Sequence, residues 1–277
     1  MKIHIGMDPN LLEIGPFVLA WHGLLTVVAI VVAVWITQVG LRERGVALEG
    51  FDSFVIWSIA GGILGARVFY LIDHAGYFID NPGESLKINE GGLAIWGAVI
   101  GGFITVAILC WLRKYPFRKI IDSIAPGLIV AQAIGRIGCA INGDAWGAQT
   151  DWPFAFVYTN PDALIPNRLL NVPTHPYPVY DMIMAMLILA VIWPLRKRGL
   201  PDGSIFAVYA ALYGATRFVI SFVREERVWF WGLQEAQVVS LVVVVLALAA
   251  LAWLLRSRPG AAPASDAAVP ADQVAHR

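Results

Sequence analysis

Long apolar runs separated by short polar stretches dominate this chain. Seven of them approach or exceed about 20 residues, the length that an α-helix needs to cross the hydrocarbon core of a bilayer. They lie near 17–39, 53–72, 93–112, 119–140, 178–195, 203–222 and 236–255. No run shows the sustained two-residue alternation that is typical of a transmembrane β-barrel. The pattern therefore predicts an all-α integral membrane protein with seven transmembrane helices, numbered here as spans one to seven.

The polar stretches predict how the chain is organised outside these spans. Residues 1–256 should form one membrane domain, with two longer external segments at about 73–92 and 141–177. The second segment is rich in proline, which favours irregular backbone, and we expect it to cap the helical bundle. The first apolar run is too long for a cleavable signal peptide and follows no basic stretch. Residues 257–277, rich in Ala and Pro, are predicted to be a disordered cytoplasmic tail.

Charge adds an orientation to this picture. Only 14% of the residues are charged, against about 25% in soluble domains, and the mean hydropathy is +0.67. The formal net charge is zero, which gives no reason to expect a nucleic-acid partner. One set of loops carries eleven basic residues: Arg42, Arg44, Arg113, Lys114, Arg118, Lys119, Arg196, Lys197, Arg198, Arg256 and Arg258. The other carries five: Lys2, Lys87, Arg168, Arg224 and Arg227. Because basic loops stay in the cytoplasm, the N-terminus is predicted outside and the C-terminus inside.

Three arginines interrupt the apolar runs, namely Arg67, Arg136 and Arg217 in spans two, four and six. All three spans run outward in the predicted topology. At about 1.5 Å per residue, the arginines lie roughly 21–26 Å up a core about 30 Å thick. His22 and Trp96, near the outer ends of spans one and three, reach a similar height. The sequence thus predicts a polar layer in the outer third of the bilayer.

An arginine at this depth indicates a functional site, because a charged side chain costs roughly 2.5–3.5 kcal/mol at the bilayer centre. The forked guanidinium group matches phosphate oxygens, so a ring of arginines predicts an anionic lipid bound from the outer leaflet. The alternative is that each arginine only snorkels toward the head groups. The paired glycines Gly61 and Gly65, and Gly97 and Gly101, favour close helix packing around this layer.

A glycine-rich polar stretch follows Arg136 at once, and residues 135–147 read Gly-Arg-Ile-Gly-Cys-Ala-Ile-Asn-Gly-Asp-Ala-Trp-Gly. Its functional interpretation is a loop that shapes a head-group site, with Asp144 ordering an arginine. The alternative is a polar turn that closes the helix. The two cysteines, Cys110 and Cys139, form neither a disulfide framework nor a CxxC metal motif. We therefore expect no metal and no cofactor, and interpret Cys139 as a packing residue.

Residues 135–147 closely resemble the signature of the prolipoprotein diacylglyceryl transferases, and the resemblance extends over nearly the whole spanning region. Its ordered parts are Ile14-Gly15-Pro16 with Trp21-His22-Gly23-Leu24, Gly65-x-Arg67-x-x-Tyr70, Glu90-Gly91-Gly92-Leu93, Asp122-x-x-Ala125-Pro126, His175-Pro176 with Tyr180-Asp181, and Tyr213-Gly214-x-x-Arg217-Phe218 followed by Arg224-Glu225. The resemblance implies transfer of a diacylglyceryl group from phosphatidylglycerol to the lipobox cysteine thiol of a prolipoprotein. It also implies that glycerol phosphate leaves, that a thioether forms, and that the protein lies in a bacterial inner membrane.

Several positions depart from the family pattern. Cys139 stands where the family often has asparagine, and Trp96 and Ala98 alter a common His-Gly-Gly-Leu motif. His22 stands where tyrosine is common, and Ser221 replaces a glutamate. These departures indicate a divergent member. Two alternatives stay open: a non-catalytic paralogue that binds anionic lipid, and a lipid transporter or flippase.

The chemistry requires a thiolate, a stabilised phosphate leaving group and their alignment. Arginines are poor bases because their pKa exceeds 12, so Arg136 and Arg217 are expected to bind the phosphate and stabilise the leaving oxygen. Tyr213 is a further candidate catalytic residue, as a hydrogen-bond donor. The expected substrate-binding residues are Asn142, Asp144, Gly147, Arg67, Tyr70, Trp96, Arg224 and His175, with a structural role as the alternative for several of them, notably Arg67 and His175.

The reaction also requires an acceptor for the thiol proton. A histidine accepts protons near neutral pH, and His22 on span one is placed to enter the same cavity as the arginines. Trp96, on span three, cannot accept a proton. The hypothesis is that His22 takes the thiol proton or positions the thiol. Asp144, Glu225 or a lipid phosphate oxygen are alternative bases, and His22 as a simple interfacial anchor is the structural alternative.

Overall fold

A computed structural model describes residues 1–15, 17–87, 91–224 and 228–257 of the chain. Its helices are α1 (Trp21–Glu43), α2 (Phe51–Asp73), α3 (Ala75–Asp80), α4 (Ile95–Leu112), α5 (Phe117–Asn142), α6 (Tyr177–Leu195), α7 (Ser204–Ile220) and α8 (Glu235–Arg256). Within the described ranges, all but α3 are long and apolar enough to cross a membrane, with α7 extended to Val223 by a 3-10 turn. The seven-helix prediction is confirmed, whereas the orientation remains a prediction.

Some sequence predictions fall on residues outside the described ranges. These are Pro16 and Glu90 of the family motifs, the alternative base Glu225, the loop residue Arg227, and the predicted tail from residue 258 onward. The observed helix bounds otherwise lie within two residues of the predicted runs, except in span one, where the helix begins and ends four residues later than predicted. There, the stretch assigned to the helix begins with a β-strand, because a short apolar run does not distinguish a strand from a helix start.

Three small β-ribbons lie outside the helices and were not predicted. Strand β1 (Ile3–Ile5) pairs in parallel with β4 (Phe156–Tyr158), and β2 (Asn10–Ile14) pairs antiparallel with β3 (Phe17–Ala20). The third ribbon joins β5 (Val228–Phe230) and β6 (Leu233–Gln234) just before α8. All three therefore belong to the end of the bundle where α1 and α8 begin and where α5 ends.

The segment between α5 and α6 folds as a cap with its own small core. Phe156, Tyr158, Ala163, Ile165 and Leu169 are buried together there. The Tyr158 hydroxyl donates a 2.9 Å hydrogen bond to the carbonyl of Ala140, which ties the cap to the last turns of α5. Burial raises the pKa of Tyr158, so that this phenol remains a neutral donor. The cap thus covers the helix end that carries Arg136.

Glycines bring α2 and α4 into backbone contact, as their spacing predicts. A Cβ atom on Gly65 would lie 2.4 Å from the carbonyl oxygen of Gly97, and one on Gly101 would lie 2.6 Å from that of Gly61. Real Cβ atoms do not approach so closely, so only glycine permits this spacing. The close pair places Arg67 of α2 next to the loop that leads into α4.

At the opposite end of the bundle, a buried carboxylate joins α5 to α7. Asp122 of α5 accepts hydrogen bonds of 2.8 Å from the backbone N–H groups of Gly203 and Phe206, in the first turn of α7. Arg44, just after α1, lies 3.5 Å from the same carboxylate. A carboxylate at a helix N-terminus satisfies otherwise unpaired donors and complements the helix dipole. Asp122 therefore fixes the position of α7 along α5. It thereby also fixes how far the site residues on these two helices are offset from each other along the bundle.

Orientation can be tested by chemical labelling. In a protein lacking both native cysteines, single cysteines at Asp151 and Arg168, both exposed in the cap, should react with a membrane-impermeant thiol reagent applied to intact spheroplasts. A cysteine at Lys197, exposed after α6, should react only after the membrane is broken. Labelling in the reverse pattern would invert the predicted topology.

Candidate functional site

Three arginine side chains surround the ring of one buried tyrosine. The guanidinium carbons of Arg136, Arg217 and Arg224 lie 5.8, 5.6 and 5.0 Å from the ring centroid of Tyr177. Tyr177 is the first residue of α6 and is fully buried, and its hydroxyl has no hydrogen-bond partner among the described residues. The aromatic face attracts each cation at these distances. Cations converging in a low-dielectric setting favour an anionic ligand.

The three arginines predicted from the sequence occupy equivalent positions along their spans. Arg67, Arg136 and Arg217 each stand six residues before the last residue of their span, at Asp73, Asn142 and Val223 respectively. Six residues of helix measure about 9 Å. This count again predicts one depth for the three residues, but which of them meet depends on which helices are neighbours. Because α5 and α7 both pack against α6, Arg136 and Arg217 reach Tyr177.

Arg224 joins the cluster through the 3-10 turn that follows α7. In this turn, the hydroxyl of the buried Ser221 donates a 2.7 Å hydrogen bond to the carbonyl of Arg217. The carbonyl of Arg224 in turn accepts a 2.8 Å hydrogen bond from the side chain of Gln234, at the start of α8. The turn and the α8 contact bring the Arg224 guanidinium back over the Tyr177 ring.

Arg136 is held by a buried carboxylate. Its Nε lies 2.5 Å from Oδ2 of Asp181, which follows Tyr177 by one helical turn on α6. A buried charge pair of this kind is costly to break, since the remaining charge is left without compensation. The pair orients the guanidinium plane of Arg136. Nη1 of the same group donates a long hydrogen bond of 3.7 Å to Sγ of Cys139. Asp181 is therefore a positioning residue for Arg136.

Tyr213 lies in the same region, one turn before Arg217 on α7. It is close enough to Arg136, Asp181 and Arg224 to interact with them electrostatically. Its ring stacks on Tyr209, with the centroids 6.1 Å apart, and Tyr209 accepts a 3.0 Å hydrogen bond from Gln132 of α5. The predicted residue Tyr213 thus borders the arginine cluster.

His22 approaches the cluster from the other side, through Cys139. Its Nδ1 lies 3.8 Å from Sγ of Cys139, which also contacts Arg136. The approach depends on Gly138, where a Cβ atom would lie 3.0 Å from the Cα of His22. Asp144, just past α5, completes a group in which one nitrogen, one sulfur and one oxygen atom lie within 4.8 Å of one another. The structure therefore connects His22, Cys139 and Asp144 to Arg136.

Asn142 and Gly147 shape the connection between α5 and the cap. Asn142, the buried last residue of α5, accepts a 2.9 Å hydrogen bond at its carbonyl from the Leu164 N–H. A Cβ atom on Gly147 would lie 2.6 Å from the Cβ of His175 and 2.9 Å from the carbonyl oxygen of Val223. Only glycine lets the loop pass between the entry to α6 and the exit from α7. Both residues, as seen here, organise the backbone beside the cluster.

His175 lies in the cap rather than in the membrane layer. Its Nδ1 is 3.2 Å from the Tyr180 hydroxyl, and its backbone N–H donates to the carbonyl of Ala148. Burial lowers the pKa of His175, so the imidazole is neutral at pH 7. These contacts brace the loop against the first turn of α6, which carries Tyr177.

Arg67, Tyr70 and Trp96 belong to the α2–α4 pair. The buried Arg67 side chain donates to four backbone carbonyls of the segment after α2, those of Ser85, Gly91, Gly92 and Glu84, at 2.8–3.1 Å. Tyr70 lies beside it and stacks on His74 with 4.2 Å between ring centroids. Trp96 is the partly buried second residue of α4. Arg67 thus holds the segment after α2 against this helix, which is the structural alternative considered from the sequence.

Two residues of the cluster were missed by sequence reasoning, Tyr177 and Asp181. A signal for Asp181 was present, because a carboxylate in an apolar span requires a partner. For Tyr177, no signal distinguished it from the other tyrosines of the spans. The group of His22, Cys139 and Asp144 was also missed, since His22 lies more than 100 residues before the motif that contains the other two.

Comparison with known proteins gives a consistent result. The family model described as prolipoprotein diacylglyceryl transferase matches residues 9–253. A protein of Symbiobacterium thermophilum named phosphatidylglycerol–prolipoprotein diacylglyceryl transferase is 35% identical over 260 residues, which cover 92% of this chain and 96% of that protein. Proteins of the same name from Nostoc sp. and Cupriavidus metallidurans are 34% and 29% identical, covering 91% and 96% of this chain and 91% and 100% of their own lengths. The similarity thus spans the seven helices and the cap.

Proposed function

We propose that this chain, which belongs to the prolipoprotein diacylglyceryl transferase family, transfers a diacylglyceryl group from phosphatidylglycerol to the lipobox cysteine thiol of prolipoproteins. The reaction is a displacement at a glyceryl carbon. The bond from this carbon to the phosphate oxygen breaks, and its electron pair leaves with glycerol phosphate. A carbon–sulfur bond forms, and the thiol proton passes to a base.

The arginine cluster around Tyr177 is the observation that carries this proposal. Arg136 on α5 and Arg217 and Arg224 on and just after α7 come from two separate parts of the chain and converge on one ring. Donors aimed at a developing negative charge in a low-dielectric site stabilise the transition state more than they would in water. The departing phosphate oxygen gains this charge, so the cluster both binds the lipid phosphate and lowers the barrier to its departure.

The thiol proton needs an acceptor, and an arginine cannot serve. We propose His22, because its ring lies beside Cys139, which contacts Arg136. The Cys139 sulfur itself is buried at a packed helix contact, and the acceptor thiol belongs to the substrate. In this arrangement, the prolipoprotein thiol enters between the imidazole and the phosphate held by the arginines.

The role of His22 is tested by replacing it with Gln and with Phe. Transfer should fall by about 10²–10⁴-fold, the usual contribution of a positioned base. Affinity for phosphatidylglycerol, measured separately on the purified variants, should change little, because the arginine cluster is intact. If both variants fold and transfer at the wild-type rate, His22 is only an anchor for α1 and the base lies elsewhere.

The site is proposed to open toward the outer leaflet of the bacterial inner membrane. The seven apolar helices and the bacterial relatives make the chain a multi-pass membrane protein. The side is inferred from the loop charges, which predict that the cap and the arginine cluster lie outside. Phosphatidylglycerol and a prolipoprotein signal segment would then both reach the cluster from the outer half of the membrane.

Transfer can be measured directly with purified protein, phosphatidylglycerol and a synthetic lipobox peptide. The peptide mass should increase by one diacylglyceryl group, and a peptide with serine in place of the cysteine should remain unmodified. A protein that only binds or moves lipid would leave both peptides unchanged. That result would contradict the proposed activity.

A further inference from the structure

We propose that His22, Cys139 and Asp144 form a binding site for a thiophilic divalent cation such as Zn²⁺. One nitrogen of His22, the sulfur of Cys139 and one carboxylate oxygen of Asp144 lie within 4.8 Å of one another. Imidazole nitrogen, thiolate sulfur and carboxylate oxygen are the ligands that zinc prefers, at about 2.0–2.3 Å from the ion. Three protein ligands leave a fourth tetrahedral position for water or another small donor.

The spacing of the three groups is close to what such an ion requires. Ligand atoms at zinc distances in a tetrahedron lie about 3.3–3.6 Å apart. The sulfur of Cys139 and Nδ1 of His22 are already 3.8 Å apart, and the most distant atoms of the group need to approach by little more than 1 Å on this estimate. Asp144 lies in the loop after α5, so side-chain rotation there can supply this shift without moving a helix.

Unsatisfied polarity at the site points to a ligand. Oδ1 of Asp144 is buried and has no hydrogen-bond partner among the described residues. A buried carboxylate oxygen without a partner is unfavourable, and a bound cation would satisfy it. The group offers soft and hard donors together, which favours zinc over Mg²⁺ or Ca²⁺.

Charge balance also supports a divalent cation. On binding, Zn²⁺ replaces the proton of the Cys139 thiol, which is released to solvent. The two positive charges of the ion are then balanced by the Cys139 thiolate and the Asp144 carboxylate. The neighbouring Arg136, which would otherwise repel a cation, is paired with Asp181.

One consequence rests on the proposed function: an ion bound to His22 removes the proposed proton acceptor, so Zn²⁺ should inhibit transfer. Binding itself does not depend on that function.

The full-length protein in detergent allows a direct test with Co²⁺ as a spectroscopic substitute for Zn²⁺. The wild-type protein should bind one Co²⁺ and show a thiolate-to-cobalt charge-transfer band in the near ultraviolet, which Zn²⁺ abolishes. Cys139→Ala should remove the band. Cys110→Ala is the matched control, because Cys110 is the other cysteine and is buried within α4, and it should keep the band. His22→Gln and Asp144→Asn should each weaken Co²⁺ binding at least tenfold.

Three outcomes would overturn the proposal: no band in the wild type, a band that persists in Cys139→Ala, or unchanged affinity in both His22→Gln and Asp144→Asn. Folding of each variant is checked by size-exclusion chromatography, and the loop variant Asp144→Asn keeps the test decisive if a helix variant fails to fold. A protein that binds Co²⁺ as expected yet never modifies the lipobox peptide would refute the proposed function and leave the metal site standing.

Discussion

Replacing Arg136 or Arg217 with alanine is expected to lower the rate of diacylglyceryl transfer by about two to three orders of magnitude or more, the effect of removing a donor that stabilises a developing anion. Both guanidinium groups lie within 6 Å of the Tyr177 ring centroid and face the same space. Lysine at either position should keep the charge but lose the planar fork, so most of the loss should persist. Initial rates of peptide modification at saturating phosphatidylglycerol measure the effect.

Arg42→Ala is the matched control for these variants. Arg42 is an exposed arginine in the last turn of α1, at the end of the bundle opposite the cluster. Its replacement should leave the rate within about twofold of the wild type, since exposed charges contribute little. Wild-type turnover in Arg136→Ala or Arg217→Ala would show that the cluster does not act on the phosphate.

Replacing Asp181 with alanine should cause the second large loss, although Asp181 need not touch the substrate. Its carboxylate pairs with Nε of Arg136, and its removal leaves a partly buried arginine without this carboxylate. The corresponding change costs about 3–5 kcal/mol in fully buried pairs. We expect at least a hundredfold fall in transfer, because Arg136 loses its orientation, together with a lower thermal midpoint.

Two conservative variants of Asp181 distinguish a role in positioning Arg136 from a general structural role. Asp181→Glu keeps the charge, so it should recover most of the rate. Asp181→Asn keeps the size without the charge and should remain slow even if the thermal midpoint recovers. Equal rates in the Asn and Glu variants would show that Asp181 supports the fold and not the charge of Arg136. Asp162→Ala, at an exposed position in the cap, is the control.

The fold could be predicted from the sequence as far as the membrane dictates it. A span must be long, apolar and helical, since a lipid environment leaves no partner for an unpaired backbone group. The β-ribbons lie outside this constraint. Strand β1 pairs with β4, about 150 residues later in the chain, and no local pattern indicates which segments meet across that distance.

The sequence predicts how far along their spans the site residues lie, but it does not predict which helices are neighbours. The positions of Arg67, Arg136 and Arg217 along their spans predict a common level, and all three lie six residues before the end of their span. The sequence did not indicate that α6 would bring Tyr177 and Asp181 between two of them. Arg67 instead binds the backbone of the segment after α2, because α2 pairs with α4.

Close packing of α1 against α5 explains a contact that the sequence did not predict, the one between His22 and Cys139. Gly138 lets the start of α1 contact α5, and this contact brings His22 to Cys139. Glycines are common in spanning helices, and the residues around a glycine in the sequence do not indicate which helix will pack against it. The imidazole was expected to enter the arginine cavity, but its contact with a cysteine became visible only in three dimensions.

The most direct test of the central claim follows both products of one reaction. Purified protein is mixed with lipobox peptide and phosphatidylglycerol that carries an isotopic label in its head-group glycerol. We expect one labelled glycerol phosphate to be released for each diacylglyceryl thioether formed, at a rate that falls in parallel for both products in Arg136→Lys and Arg217→Lys. Lipid bound without either product, or thioether formed at the wild-type rate in the arginine variants, would contradict the proposed role of the arginine cluster.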